Sequence, residues 1–215
     1  MGISERKERE SMQMKNRILD TAMSLFLDEG FENVTIRGIA KAIEYSPATI
    51  YLYYKDKNEI LYALHSKGFD MLHEKQSKVL AIRDPWKRLR EHGRIYLAFA
   101  VENPEYYDLM FIMRGPAEKI KEKEKWESGL RSFDLLKDNV RQCMDAGYIK
   151  KGSPDVAAFA FWSLTHGLAS LVIRDRCIMF PEDKVDLMIE KARNYIMDNF
   201  VTGENRQLHA GSGGD

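Results

Sequence analysis

Disulfide potential, excess charge of either sign and long apolar runs are all missing from this sequence. Its 215 residues include two cysteines, Cys143 and Cys177, too few for a disulfide framework. Lysine plus arginine equals aspartate plus glutamate at 33 each, for a formal net charge of zero. That excludes a uniformly basic nucleic-acid coat, so any contact with DNA has to be local. No apolar run reaches the roughly 18 residues of a membrane span, and the stretch MGISERKERESMQMKNR is charged where a signal peptide has its apolar centre. The sixth residue is Arg6, which does not fit a myristoylation signal. These absences predict a reduced, cytoplasmic protein with no membrane segment. Catalytic constellations are missing too. The five histidines, His65, His73, His92, His166 and His209, stand at no short metal-ligand spacing to cysteine or acid, and no phosphate loop or serine-nucleophile motif occurs. No catalytic residue, metal site or cofactor is therefore expected.

What is present is dense helix punctuation. Hydrophobic residues make up 44%, enough for a sizeable core, and the length suits a small N-terminal unit on a larger body. Residues before about Ser11 read as a charged arm, with Arg6, Lys7 and Arg9 among Glu5, Glu8 and Glu10. From Met14 to Glu29, Ile18, Ala22, Leu25 and Phe26 mark an amphipathic helix that stops at Gly30. Thr35 then caps a brief helix with Ile36, Ile39, Ala40 and Ile43 on one face and Arg37 and Lys41 outside. Ser46-Pro47, a cap followed by proline at the first helical position, opens another helix running to Tyr54. In it Ile50, Tyr51 and Tyr54 are expected inward, with Ala48, Thr49, Leu52 and Tyr53 outward. Asp56-Lys57-Asn58-Glu59 forms a capping box for a third helix. Two short helices at a sharp turn can place the second in a DNA major groove. The same spacing also suits a plain scaffold.

The order of residues favours the first reading. Thr35-x-Arg37-x-Ile39-Ala40, Ser46-Pro47-x-Thr49-Ile50-Tyr51-x-x-Tyr54 and Lys57-x-x-x-Leu61 resemble the DNA-binding domain of TetR-type (TetR/AcrR) transcriptional regulators. Phe26-x-x-x-Gly30-Phe31 extends the likeness to the first helix. YLAFAVENPEYYDLMF at 96–111 and the Trp162 to His166-Gly167 stretch resemble the C-terminal domain of a TetR subgroup with a Trp…His-Gly signature. The likeness runs from Ser11 to Phe200. It departs at Glu44-Tyr45, where the family usually has glycine and a small apolar residue, and at the paired Tyr53-Tyr54. The resemblance implies a DNA-binding set of Thr35, Arg37, Ser46, Pro47, Ala48, Thr49, Tyr51, Leu52, Tyr53 and Lys57. No arginine, lysine, asparagine or glutamine lies between Pro47 and Tyr54, so bidentate base contacts are missing from that helix. Ala48 and Leu52 suit thymine methyl groups, Thr49 one base edge, and Arg37 a guanine. Thr35, Tyr51, Tyr53 and Lys57 fall where the family meets phosphates.

Beyond Asp56 the helical pattern continues through Ile60, Leu61, Leu64, Phe69, Leu72 and Val79 to about Ile82, with Gly68 as a weak point. Asp84-Pro85 and Asn103-Pro104 start further helices, and Gly115-Pro116 breaks the chain. Lys119 to Lys125 reads as the solvated first turns of one long helix that buries Leu130, Phe133, Leu136, Val140 and Met144 before Gly147. Ser153-Pro154 opens a helix to Ile173 that is apolar almost all round. Such a helix must be buried on every face, which predicts a homodimer through helices 154–173 and 182–200. In the last of these Val185, Met188, Ile189, Ala192, Tyr195 and Ile196 are expected inward. The tail 201–215 is linker-like.

The expectation is an all-α transcriptional repressor with a DNA-binding domain at 11–56 and an effector-binding and dimerisation domain at 57–200. As a homodimer it would read a palindromic operator on double-stranded DNA, its two recognition helices about 34–36 Å apart or a multiple of that. The resemblance further implies a small-molecule effector, hydrophobic in character, held among Phe99, Tyr107, Met110, Phe111, Phe133 and Trp162 with His166 as the polar contact. For each of these, core packing is the competing account. Two other readings stand beside it: a regulator that answers to a protein partner or to nothing, and a helical ligand carrier whose helix-turn-helix is scaffold.

Overall fold

A computed structural model describes residues 2–123 and 126–200, in which ten α-helices and two short 3-10 turns occur and no β-strand. The 201–215 tail lies outside the described residues. The helices are α1 (Ile3–Glu29), α2 (Ile36–Ala42), α3 (Pro47–Tyr51), α4 (Lys57–Ser77), α5 (Pro85–Glu102), α6 (Pro104–Phe111), α7 (Arg114–Lys123), α8 (Glu127–Asp145), α9 (Pro154–Ile173) and α10 (Val185–Phe200). They group into two compact units, one of residues up to 68 with 105–126, the other of 69–104 with the residues from 127 onward.

Local chemistry sets four of the helix starts directly. Thr35, Ser46, Asp84 and Ser153 each accept a hydrogen bond from the backbone N–H three residues on, satisfying a donor that the first helical turn would otherwise leave unpaired. Elsewhere the chain differs from expectation. α1 begins at Ile3, so the charged arm is helical; Arg6 pairs with Glu10 at 2.8 Å and Ser4 bonds Glu8, the i,i+4 spacing that supports an exposed helix. α3 ends at Tyr51 rather than Tyr54. Gly115-Pro116 lies inside α7, whose first turn tolerates proline, and α7 and α8 are two helices where one was expected. Gly68 does not interrupt α4. A Cβ there would lie 2.7 Å from Met110 Sδ and 2.9 Å from Tyr106 Cδ1, so glycine is what lets α6 approach α4.

In the first unit Ile18, Ala22, Val34, Ile39, Ile43, Ile50 and Leu61 are buried between α1, α2, α3 and the start of α4. Each of the larger side chains contributes roughly 1.5–3 kcal/mol. The second unit stacks α5, α8 and α9, with α10 on α9, around Trp86, Leu89, Val140, Cys143, Ala158 and Phe161. Leu130 and Tyr195, expected inside, are 48% and 73% exposed. In their place Gly129 and Ser132 of α8 and Met197 of α10 turn inward, because the buried stripe of each helix is rotated from the one read off the sequence.

α9 runs against the expectation that no segment reaches membrane length. Its 20 residues are long and apolar enough to cross a membrane by length and composition alone. Ser163, Thr165, His166 and Ser170 disguise this in the linear sequence. The helix packs on α5, α8 and α10, yet within one chain it buries only Ala158, Phe161 and Ala169 fully, while Val156, Phe159 and Leu171 are 70%, 57% and 45% exposed.

Candidate nucleic-acid interface and interior polar groups

The α2–α3 pair is held at a turn whose residue Glu44 has φ 61, the left-handed region where glycine is at ease. Ile39, Ile43, Ile50 and Tyr54 close its inner side; Tyr54, pushed up to about 12 by burial and the nearby Glu59 carboxylate, stays neutral. Tyr51, expected inward, is 57% exposed and Leu52 is 80% exposed. Ile50 and Tyr54, four apart, define the buried stripe, and Tyr51 lies off it. Ala48 and Arg37 are also exposed, while Thr49 and Tyr53 are half-buried. The Thr49 hydroxyl bonds the Ser46 hydroxyl at 3.1 Å. Thr35 and Ser46 accept from backbone N–H groups through their hydroxyl oxygens, leaving their O–H protons as donors. Pro47 stands at the first helical position.

Lys57 is placed differently from a phosphate contact reaching outward. Its Nζ donates to the Phe31 carbonyl at 3.0 Å and sits 4.3 Å from the Phe31 ring centroid, a charge-assisted hydrogen bond with a cation–π contact. Arg17 of α1 lies over the Tyr45 ring at 5.4 Å, bracing the turn. Neither pairing has a sequence signal, since each joins residues far apart in the chain.

The residues expected to hold an effector fall in both units. Tyr107, Met110 and Phe111 belong to the first, where Tyr107 is fully buried and its ring is 5.4 Å from that of Phe111. Phe99, Phe133, Trp162 and His166 belong to the second. There Trp162 is the hub, 6.4 Å from Phe133 and 5.9 Å from both Phe159 and His166. Tyr96, outside the set named for the effector, joins them: its hydroxyl lies 3.0 Å from His166 Nδ1 and accepts from Trp162 Nε1 at 3.3 Å. Burial lowers the His166 pKa. Phe99 is buried, with the Lys75 ammonium 5.9 Å from its ring centroid.

Sequence reasoning also missed a polar set in the second unit. Gln76, Arg88, His92, Ser132 and Asn139 are all at most 8% exposed. A signal existed: Arg88, His92 and Tyr96 recur every four residues beside Leu89 and Phe99, so they occupy an apolar register of α5.

Two family profiles match the sequence, "Bacterial regulatory proteins, tetR family" at residues 18–64 and "Tetracyclin repressor-like, C-terminal domain" at residues 89–192. The uncharacterized HTH-type transcriptional regulator YvkB of Bacillus subtilis (strain 168) is 27% identical over 177 residues, 79% of this chain and 89% of that one. The biofilm operon icaADBC negative transcriptional regulator IcaR of Staphylococcus epidermidis is 36% identical over 47 residues, 22% of this chain and 25% of its own length. The fold is similar to that of PfmR, a TetR family transcriptional regulator of Thermus thermophilus, with a TM-score of 0.60 at 22% identity, covering 86% of this chain and 97% of the other. At that identity the likeness is one of fold.

Proposed function

The chain belongs to the TetR family of bacterial regulatory proteins, and from that premise we propose that it is a cytoplasmic, homodimeric repressor that leaves a palindromic operator when a small molecule binds the second unit. The exposed side of α3 supports the DNA-binding part most directly. Leu52 and Tyr51 stand outside a helix whose other side is closed by Ile50. Adjacent on the outer side of a helix-turn-helix, they suit a partner surface: thymine methyls and the sugar-phosphate backbone give them contacts. The exposed apolar side chains of α9 support the dimer, and a dimer is what sets the spacing of two half-sites. α4 starts in the unit that carries α2 and α3 and ends in the other, so a ligand that prefers one position of α4 would shift the operator-binding equilibrium by its difference in affinity for the two states.

Fluorescence anisotropy with duplex DNA from upstream of the protein's own gene tests this reading. Affinity should be sequence-selective and fall linearly in log K against log salt, as phosphate contacts require. A salt-independent or undetectable association would leave the ligand-carrier account standing instead.

A further inference from the structure

Where the C-terminal end of α4 meets α5 in the second unit, buried polar atoms lack partners. Gln76, His92 and Asn139 are 2%, 3% and 0% exposed. Gln76 Nε2 lies 2.9 Å from His92 Nε2, and Asn139 Nδ2 lies 3.2 Å from His92 Nδ1. Burial, with His73 adding to it, lowers the His92 pKa to about 4. The ring is therefore neutral at pH 7, with one N–H and one lone pair, and cannot accept from two amide nitrogens. Arg88 decides which amide turns. Its Nη1 donates to Asn139 Oδ1 at 3.5 Å, leaving the Asn139 NH2 group for His92 Nδ1. His92 Nε2 then carries the proton and needs an acceptor. The Gln76 oxygen, buried without a partner while the amide nitrogen faces the ring, supplies it when the carboxamide exchanges its two ends, which have the same shape. The deficit then passes to the Gln76 NH2 group. His73 Nδ1 is likewise buried and unpaired, as is Ser132 Oγ on the α8 stripe that carries Asn139.

Buried polar groups are kept where something satisfies them. We propose that this cluster is a ligand subsite, and that the effector is an apolar molecule bearing an uncharged carbonyl whose oxygen accepts from Gln76 Nε2. This rests on the reading that a small molecule acts on the second unit, and adds the chemical class. A carboxylate fits poorly. The nearby guanidinium of Arg88 is already committed to the Ile82 and Arg83 carbonyls and to Gln142 Oε1, at 2.8, 3.2 and 2.7 Å, and the imidazole behind Gln76 is neutral. The atoms are sealed, so entry has to part the end of α4 from α5 and α8, working against the Asp70–Arg131 ion pair between α4 and α8.

Acetophenone, isopropylbenzene and benzoate share a ring and a similar size while offering a carbonyl, no acceptor and a carboxylate. Their affinities for the full chain, measured by saturation-transfer NMR titration, decide the matter. Acetophenone should bind about tenfold more tightly than either of the others, and Gln76→Leu should abolish that preference. Gln76→Met, with similar length and no donor, replaces it if the leucine variant fails to fold. Equal affinity for acetophenone and isopropylbenzene, tightest binding by benzoate, no binding by any probe, or a preference unchanged in the variant would each overturn the proposal. Operator anisotropy in the same samples separates the two readings. Acetophenone held through Gln76 that leaves the operator bound defeats derepression but not the subsite. Operator release that is equal in wild type and variant does the reverse.

Discussion

Glu44 occupies a backbone position that favours a residue without a side chain. At φ 61 an L-residue brings its Cβ too close to the following carbonyl, at a cost of about 1–2 kcal/mol, part of which glycine returns as greater freedom of the unfolded chain. Glu44→Gly should therefore raise the urea midpoint of unfolding by an amount worth about 0.5–1 kcal/mol. A lower midpoint would mean that the glutamate side chain makes a compensating contact. On the proposed reading Arg37 and Lys57 separate base reading from positioning. Arg37 is exposed, and Arg37→Ala should cost on the order of 1–3 kcal/mol and relax the preference at one position per half-site. A uniform loss across an operator library would instead make Arg37 a phosphate clamp. Lys57, bound to Phe31, should behave otherwise: Lys57→Ala should lower the melting temperature and leave the slope of log K against log salt unchanged. A slope reduced by about one would restore Lys57 to the phosphate contacts. What could be read from sequence at this scale was local. The capping roles of Thr35, Ser46, Asp84 and Ser153 depend on residues three positions away, whereas the Lys57–Phe31 and His92–Asn139 pairings depend on the tertiary fold.

Among the elements, helix existence was legible and helix faces less so. The proline starts at 85, 104 and 154 were readable because proline fixes its own backbone. The stripe of α8 was not, since Leu130 and Ser132 exchange places against hydropathy where α8 packs between α5 and α9. α9 shows the same limit with a sharper consequence. Its composition predicted burial all round, but not which side chains one chain covers and which it leaves. Phe161 is 5% exposed and belongs to the chain's own core, so Phe161→Asp should unfold the second unit rather than split a dimer. Phe159 and Val156 are 57% and 70% exposed. Phe159→Asp and Val156→Asp should give monomers with native helical content and weak operator binding. Sedimentation equilibrium beside far-ultraviolet circular dichroism checks both, and a folded Phe159→Asp dimer would move the subunit contact off this face of α9.

For the whole molecule the buried histidines set a pH dependence, because each unit holds at least one neutral. His65 in the first unit and His92 in the second both have their pKa lowered to about 4 by burial, His92 with a further contribution from His73. In the unfolded chain both return to about 6.5. As pH falls below that value the unfolded state takes up protons that the folded state refuses until about pH 4. The stability these groups contribute is therefore complete above about pH 6.5 and is lost progressively from there to pH 4. For His92 alone the loss by pH 5 is about 2 kcal/mol. Urea unfolding at pH 7.5, 6.0 and 5.0 should show falling midpoints, and His92→Gln should flatten the trend for the second unit while leaving the first as it was. Midpoints that hold constant to pH 5 would mean that His92 binds a proton inside the fold. The Gln76–His92–Asn139 hydrogen bonds would then run with both ring nitrogens as donors, and Gln76 and Asn139 would both turn their oxygens to the ring.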